Sequence, residues 1–274
     1  KTKDAIADQF RKKTGMRPSV DTDYPDIRIN VHITNMDFTV ALDSSGESLH
    51  KRGYRQPGYI APLNEVMAAG MLLLMGWHKD IPLIDPMCGS GTVLLEAAMM
   101  AGCIPPGFNR KQYGFMKWND FDKDLWKRIK DEVLEGIQSP AVSLFGADIS
   151  QNAIDLTKGA SIKMGVVNQL NLRNSAFADY MPQTNTGMLV MNPPYGERMS
   201  QENICSFYKM IGDHLKKNFA GFDAWILSSN KEALKHVGLR PSRKLILYNG
   251  PLECKFQKFS LYKGSKKGEL HETG

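Results

Sequence analysis

The sequence predicts an α/β protein: an open, mostly parallel sheet flanked by helices, preceded by a smaller, partial α/β segment. Three observations carry this. From residue 60 onward, apolar runs of strand length alternate with runs of helical period. Two of the apolar runs, Ile81-Pro82-Leu83-Ile84 and Gly187-Met188-Leu189-Val190-Met191, stop abruptly at turn-forming residues, as buried parallel strands do. The chain then closes with two runs suited to an antiparallel hairpin, Lys244–Tyr248 and Lys255–Tyr262.

In chain order, Lys3 to Arg11 reads as a helix. Asp26 to Thr34 alternates strictly, and Phe38 to Asp43 alternates again after Asn35-Met36-Asp37, which predicts a strand pair with one buried face. One helix and two strands are too little for a core of their own, and residue 1 is Lys. The sequence is therefore expected to lack an N-terminal portion that would complete this unit, whose boundary is set at residues 1–50, with a second domain over 51–274. In that domain Leu63 to Trp77 is a helix, 81–84 the first strand, and Thr92 to Ala101 its helix, stopped by Gly102. Residues 103–140 form an insertion rich in aromatic and charged side chains, with a helix around Lys123–Ile137. Val142 to Asp148 is the second strand and Ala153 to Met164 its helix. Leu170 to Ser175 is the third strand, 187–191 the fourth, Phe207 to Phe219 a helix, and Asp223 to Ser228 the fifth strand.

The chemistry concentrates in two loops 107 positions apart, counted from Asp85 to Asn192. The first is Asp85-Pro86-Met87-Cys88-Gly89-Ser90-Gly91-Thr92, between a buried strand and an apolar helix. Glycine allows a tight turn and close approach of backbone to a ligand, and ligands of open α/β sheets bind beyond the carboxyl ends of the strands. The spacing is neither G-x-G-x-x-G, since Leu94 holds the last position, nor a Gly-Lys-Ser/Thr phosphate loop. Asp85 would repel a pyrophosphate and suits a cationic or hydroxyl-rich ligand. The second loop is Asn192-Pro193-Pro194-Tyr195. Two prolines remove two donors and stiffen the loop, Asn192 adds a side-chain acceptor, and Tyr195 offers a stacking face. A planar amine held there would donate to Asn192 and to a loop carbonyl. Asp148, ending the second strand with Ile149 after it, is placed to accept from ribose hydroxyls, and Asp179 from an adenine amine. This combination is what an S-adenosylmethionine-dependent amino-methyltransferase needs. The loop alone leaves guanine N2, adenine N6 and the glutamine amide open as targets.

Composition bounds the alternatives. The 274 residues are 42% hydrophobic, and no apolar run approaches the ~20 residues of a membrane span. The four cysteines are scattered, with no zinc-type spacing, so no metal is expected and the thiols read as reduced and cytoplasmic. Cys88 reads as a packing residue. The net charge of +6 gathers in patches: Lys51, Arg52 and Arg55; Arg240, Arg243 and Lys244; and Lys255, Lys258, Lys263, Lys266 and Lys267. Such patches supply phosphate contacts when they face a nucleic acid, and the first, at the domain junction, is the expected RNA contact.

Asp85 to Thr92 and Asn192 to Tyr195, together with the lead-in Ser48 to Arg55 and Ala61-Pro62-Leu63-Asn64-Glu65, resemble the THUMP-linked RNA guanine-N2 methyltransferases. Residues 1–50 look like the back half of a THUMP RNA-binding domain. The resemblance implies a Rossmann-like class I methyltransferase with a seven-stranded mixed sheet and an antiparallel last strand. It implies S-adenosylmethionine as cofactor and, in the branch that resembles this chain most, large-subunit ribosomal RNA as partner, with no membrane, metal or obligate protein partner. The matching cofactor positions are Asp85, Pro86, Cys88, Gly89, Ser90, Gly91, Thr92, Asp148, Ile149, Asp179 and Asn192, and the catalytic loop is Asn192, Pro193, Pro194 and Tyr195. Transfer RNA is the nearest alternative substrate, and a non-catalytic RNA-binding module the alternative of another class.

Overall fold

The computed structural model describes residues 2–55, 58, 63–139, 141–194 and 200–262. Tyr195, Ala61, Pro62, Lys263, Lys266 and Lys267 lie outside the described residues. The chain divides into two compact units, residues 1–49 with 110–127, and residues 50–109 with 128–274. Part of the predicted insertion thus clusters with the N-terminal segment rather than with the larger unit.

In the first unit, α1 (Thr2–Thr14) precedes the antiparallel pair β1 (Ile29–Thr34) and β2 (Asp37–Leu42). The register sets Ile29 against Leu42, Val31 against Val40 and Ile33 against Phe38, so the predicted alternation does gather the apolar side chains on one face. That face is not buried: Phe38 is 74% and Ile33 69% exposed. Alternation specifies which side chains share a face, whereas burial needs a covering element, and none of the described residues provides one. Residues 110–127 contribute an aromatic cluster of Tyr113, Phe115, Phe121 and Trp126, with ring centroids 5.3–5.8 Å apart. Arg110 lies over Tyr113 and donates to the carbonyls of Ser45, Glu47 and Ser48, and Phe115 N donates to Ser44 O at 3.0 Å. These bonds are the reason the inserted segment belongs with the first unit. The helix predicted there is α4 (Lys123–Glu135), its first turn held by Asp122, whose Oδ1 accepts from Asp124 N and Leu125 N.

The second unit contains α2 (Glu65–Met75), β3 (Leu83–Asp85), α3 (Thr92–Ala101), β4 (Leu144–Asp148), α5 (Gln151–Lys163), β5 (Leu170–Asn174), β6 (Gly187–Met191), α6 (Gln201–Asn218), β7 (Phe222–Ser228), the single turn α7 (Ala233–His236), β8 (Arg243–Asn249) and β9 (Leu252–Ser260). The seven strands pair in the order β5-β4-β3-β6-β7-β9-β8, all parallel except β9, which runs antiparallel to both neighbours. Strand alternation builds two cores. Leu83, Leu144, Val190, Trp225 and Phe256 point to the side of α2, α3 and α5. Ile84, Phe145, Leu189, Ile226 and Phe259 point to the side of α6 and α7. Because both faces are covered, the central strands read as continuous apolar runs.

The order reverses at β3. Strands β4 and β5 are added on one side and β6 and β7 on the other, so β3 and β6 are neighbours, with Leu83 opposite Met188 and Ile84 opposite Leu189. That switch point opens a crevice at the carboxyl edge, and it brings Asp85 and Asn192 to adjacent strand ends.

Candidate active site

The turn after β3 is held by its neighbours. Cys88 N donates to Ala147 O at 2.9 Å, Gly89 N to Asp148 Oδ2 at 2.9 Å, and Gly91 N back to Cys88 O at 2.8 Å. The Thr157 hydroxyl, on α5, lies 3.0 Å from Gly89 O and 2.9 Å from Ala153 O, and its one proton is shared between these carbonyls. Both glycines are left-handed, with φ of 55° at Gly89 and 77° at Gly91. A Cβ at Gly91 would stand 2.3 Å from Thr157 Cγ2. Glycine is required there twice over, by conformation and by space. Gly91 begins α3 without any side-chain cap, so no capping side chain accepts from the first N–H groups of that helix. Pro86, Cys88 and Thr92 are buried, and Ser90 is half-buried.

Two carboxylates flank the turn in unlike surroundings. Asp148 closes β4 with each oxygen taking one backbone N–H, Oδ2 from Gly89 and Oδ1 from Ser150 at 2.9 Å. These two bonds fix its orientation and leave lone pairs for further donors. Asp85 is buried, with Met87 N donating to Oδ1 at 3.3 Å. Burial pushes its carboxyl up to about 8, and the nearby Asp148 adds to the rise. Burial beside these two acids also raises the Cys88 thiol, which fits a packing residue and not a nucleophile. Ile149 is 77% exposed, and Asp179 stands exposed at the end of a 3-10 turn, Phe177–Asp179, after β5. Asn174 Nδ2 ties that strand end to the carbonyls of Asp148 and Ile149, both at 3.0 Å.

On the neighbouring strand, β6 ends at Met191 and the chain enters Asn192-Pro193-Pro194. The Asn192 side-chain oxygen is buried and has no hydrogen-bond partner among the described residues. An orphaned buried acceptor costs about 1–3 kcal/mol, and it marks where a donor belongs. Pro193 is buried and Pro194 exposed; Tyr195 lies outside the described residues.

The structure corrects the basic junction patch at one residue, Arg52. Arg52 is buried, its Nε and Nη2 donating to the two oxygens of Glu96 at 3.2 Å, and Tyr54 OH donates to the same carboxylate at 3.1 Å. Arg55 donates to Leu63 O at 2.8 Å and pairs with Glu65 at 3.1 Å. These guanidiniums fasten the lead-in segment to α3 and α2; Arg52 is buried away from any phosphate contact, whereas Arg55 stays exposed beside its partners. Lys51 is exposed. Glu96 and Thr157 were not anticipated. Glu96 could have been: a single acid in the otherwise apolar run Thr92–Ala101 must find a cation. Thr157 carries no such signal, since its role depends on the packing of α5 against the turn. Among the described residues no group of three His, Cys, Asp or Glu side chains could hold a metal ion, and no helix is long and apolar enough to cross a membrane.

Comparison with known proteins agrees with this geometry. Residues 52–258 match the family model described as RMKL-like, methyltransferase domain, and residues 1–43 match the THUMP domain. The chain is 40% identical over 270 residues to Ribosomal RNA large subunit methyltransferase K/L of Methylococcus capsulatus, covering 95% of this chain and 36% of that protein. It is 40% identical over 265 residues to "Putative RNA methyltransferase slr0064" of Synechocystis, covering 95% of this chain and 68% of that protein. The chain thus spans about a third of the first relative and two thirds of the second. Among solved structures, SMU.472, "a putative methyltransferase complexed with SAH", superimposes with a TM-score of 0.85 at 30% identity, over 96% of this chain and 70% of that one. A sheet with one antiparallel strand, a glycine turn after its first strand, an Asn-Pro-Pro loop on the adjacent strand and these matches together establish that the chain belongs to the RMKL-like methyltransferase-domain family.

Proposed function

We propose that this chain is an S-adenosylmethionine-dependent RNA methyltransferase that modifies the exocyclic N2 of a guanosine in large-subunit ribosomal RNA, in the cytoplasm. The observation that carries the reading is the buried Asn192 oxygen, without a hydrogen-bond partner among the described residues, one position past the strand that neighbours β3. An exocyclic amine is the donor that such an acceptor lacks. Ribosomal RNA is supported by the name of the Methylococcus relative, and RNA in general by the THUMP match. The same matches support reading residues 1–50 as the C-terminal part of a THUMP-like RNA-binding domain and 51–274 as the methyltransferase domain.

The residues present fit the cofactor. The turn Pro86–Thr92, with Gly89 and Gly91 free of side chains, would admit it closely, Asp148 would accept from its ribose hydroxyls, with Ile149 alongside, and Asp179 would accept from its adenine amine. Asp85 offers a second carboxyl, held against the turn at Met87 N. When bound, S-adenosylmethionine supplies a methyl group already activated on a sulfonium. What this chain adds is alignment, which is worth several kcal/mol of the barrier, and polarisation of the target. Asn192 Oδ1 and the Pro193 carbonyl would accept from the two N–H groups of the guanine amine and draw its lone pair out of the ring, stabilising charge as it develops. Pro194 stiffens the loop, and Tyr195 would stack on a base that has left its helix.

The test compares the wild type with Asn192→Ala and Asp148→Ala, using large-subunit ribosomal RNA that lacks the modification. Asn192→Ala should keep its affinity for S-adenosylmethionine and lose roughly a hundredfold or more in turnover. Asp148→Ala should lose cofactor affinity. Nucleoside mass spectrometry should find N2-methylguanosine. N6-methyladenosine, a methylated glutamine in protein, or full activity in Asn192→Ala would overturn the assignment.

A further inference from the structure

The closing hairpin overshoots the rest of the sheet. Register fixes one transverse row, Met191 opposite Ile226, Ile226 opposite Gln257, and Gln257 opposite Lys244. This row lies at the carboxyl edge, one residue before Asn192. Beyond it β7 continues only to Ser228, whereas β8 continues through Leu245–Asn249 and β9 begins at Leu252. Five residues per strand at about 3.4 Å each carry the hairpin roughly 17 Å past the level of Met191, the residue before the Asn192 loop.

The two faces of the overhang differ. Leu245, Leu247, Cys254 and Phe256 belong to the core on the α2 side. On the opposite face, Ile246 is 60% and Tyr248 65% exposed, flanked by exposed Lys244 and by Lys255, which stands opposite Ile246. The one acid of this face, Glu253 opposite Tyr248, is taken up by Lys231 at 2.7 Å. No ion pair among the described residues engages Lys244 or Lys255, in contrast to Lys258, which pairs with Asp223 at 2.8 Å, and Arg243, which donates to Leu74 O. The face therefore presents an aromatic ring and an aliphatic side chain between exposed Lys244 and half-buried Lys255, whose charge also acts on Glu253, at the same edge of the sheet as Asn192.

We propose that this overhanging face of β8–β9 is a docking surface for the single-stranded RNA flanking the target nucleotide, Tyr248 stacking on a neighbouring base while Lys244 and Lys255 meet phosphates. Stacking platforms set between lysines bind single strands with little dependence on sequence. A flipped base needs its neighbours held, and in the described structure this surface extends from the same edge as Asn192. The inference rests on the RNA reading above and adds the surface that reading leaves open.

The experiment measures binding of a short single-stranded oligoribonucleotide with a central guanosine, as a function of salt, alongside calorimetry with S-adenosylmethionine. Tyr248→Ala should raise the RNA Kd about tenfold, and Tyr248→Phe should restore it, because the ring and not the hydroxyl stacks. The double variant Lys244→Ala with Lys255→Ala should flatten the slope of log Kd against log salt by about 1.4, two single-strand contacts at ~0.7 each. All three should bind S-adenosylmethionine as the wild type does, and Lys163→Ala, at the far end of α5, should change neither. A wild type that binds and methylates RNA, with hairpin variants indistinguishable from Lys163→Ala, overturns the docking surface alone. A wild type that binds cofactor but neither binds nor methylates RNA overturns the RNA reading and this inference together. A photo-crosslinker at position 248 that joins two copies of the chain, with or without RNA, assigns the face to self-association and overturns its assignment to RNA.

Discussion

Replacing Asp85 by Asn should make the ligand-free protein more resistant to unfolding at neutral pH, and the gain should grow with pH. The carboxyl titrates near 3.8 when solvated and is pushed up to about 8 in the folded protein by its burial. Between those two values the folded state holds one proton more than the unfolded state, so stability falls as pH rises. At about 1.4 kcal/mol for each pH unit, the penalty is roughly 4 kcal/mol at pH 7 and under 2 kcal/mol at pH 5. Asparagine has nearly the same shape, keeps an oxygen for Met87 N, and carries no titrating proton. Its amide donors, if unmatched, cost about 1–3 kcal/mol, but that cost is independent of pH. The diagnostic is therefore a slope: the stability difference between Asp85→Asn and wild type should increase by about 2–3 kcal/mol from pH 5 to pH 7, all other titrations cancelling. Urea unfolding followed through the fluorescence of buried Trp77 and Trp225, without cofactor, measures it. A difference of equal size at both pH values would refute the reasoning, since a carboxyl that stays ionised in the fold produces no such slope.

Two further predictions concern the turn and the lead-in segment. Gly91→Ala forces a side chain into a left-handed position, which costs about 1–2 kcal/mol, and drives its Cβ into the Thr157 methyl; the melting temperature should drop, and adding Thr157→Ser should recover part of the loss, whereas an unchanged melting temperature would show that the turn yields. Arg52→Ala strands Glu96, already raised by burial, and should cost about 3–5 kcal/mol at pH 7. A stranded acid has its folded pKa raised further, so this loss should shrink as pH falls toward the usual Glu value of 4.5; denaturation at both pH values checks it, and a small, pH-independent loss would return Arg52 to the surface.

Most of the sheet was legible because its strands are buried on both faces and its turns are chemically marked. Thr92–Ala101 and Gly187–Met191 have the limits that their sequences predict. Other ends moved where a cap outranked the apolar pattern. Ser200, accepting from Asn203 N, starts α6 at Gln201, well before the apolar stretch from Phe207. The site was legible as two loops but not as a network. Nothing local in Asp148 reveals that it orients Gly89, and nothing in Arg52 reveals a buried partner 44 positions away. Basic residues read alike in a sequence, and only packing separates Arg52, held in the core, from Lys244, left outside it. The strand pair β1–β2 shows the same gap from the other side, since its pattern was right while its burial was not.

The adjacency of β3 and β6 has a consequence for how activity relates to folding. Of all the strand pairings in the large sheet, this one joins the residues furthest apart in the chain, Ile84 with Leu189, and it rests on two registered pairs. Pairings that close long loops carry the largest entropic cost and slow folding most. The glycine turn and Asp148, by contrast, are assembled from 85–157 through shorter connections. A chain whose C-terminal half has gone astray would therefore keep the proposed cradle for the cofactor while lacking the proposed acceptor for the target. Under the proposed function, affinity for the cofactor reports on half of the sheet, whereas turnover reports on the whole of it.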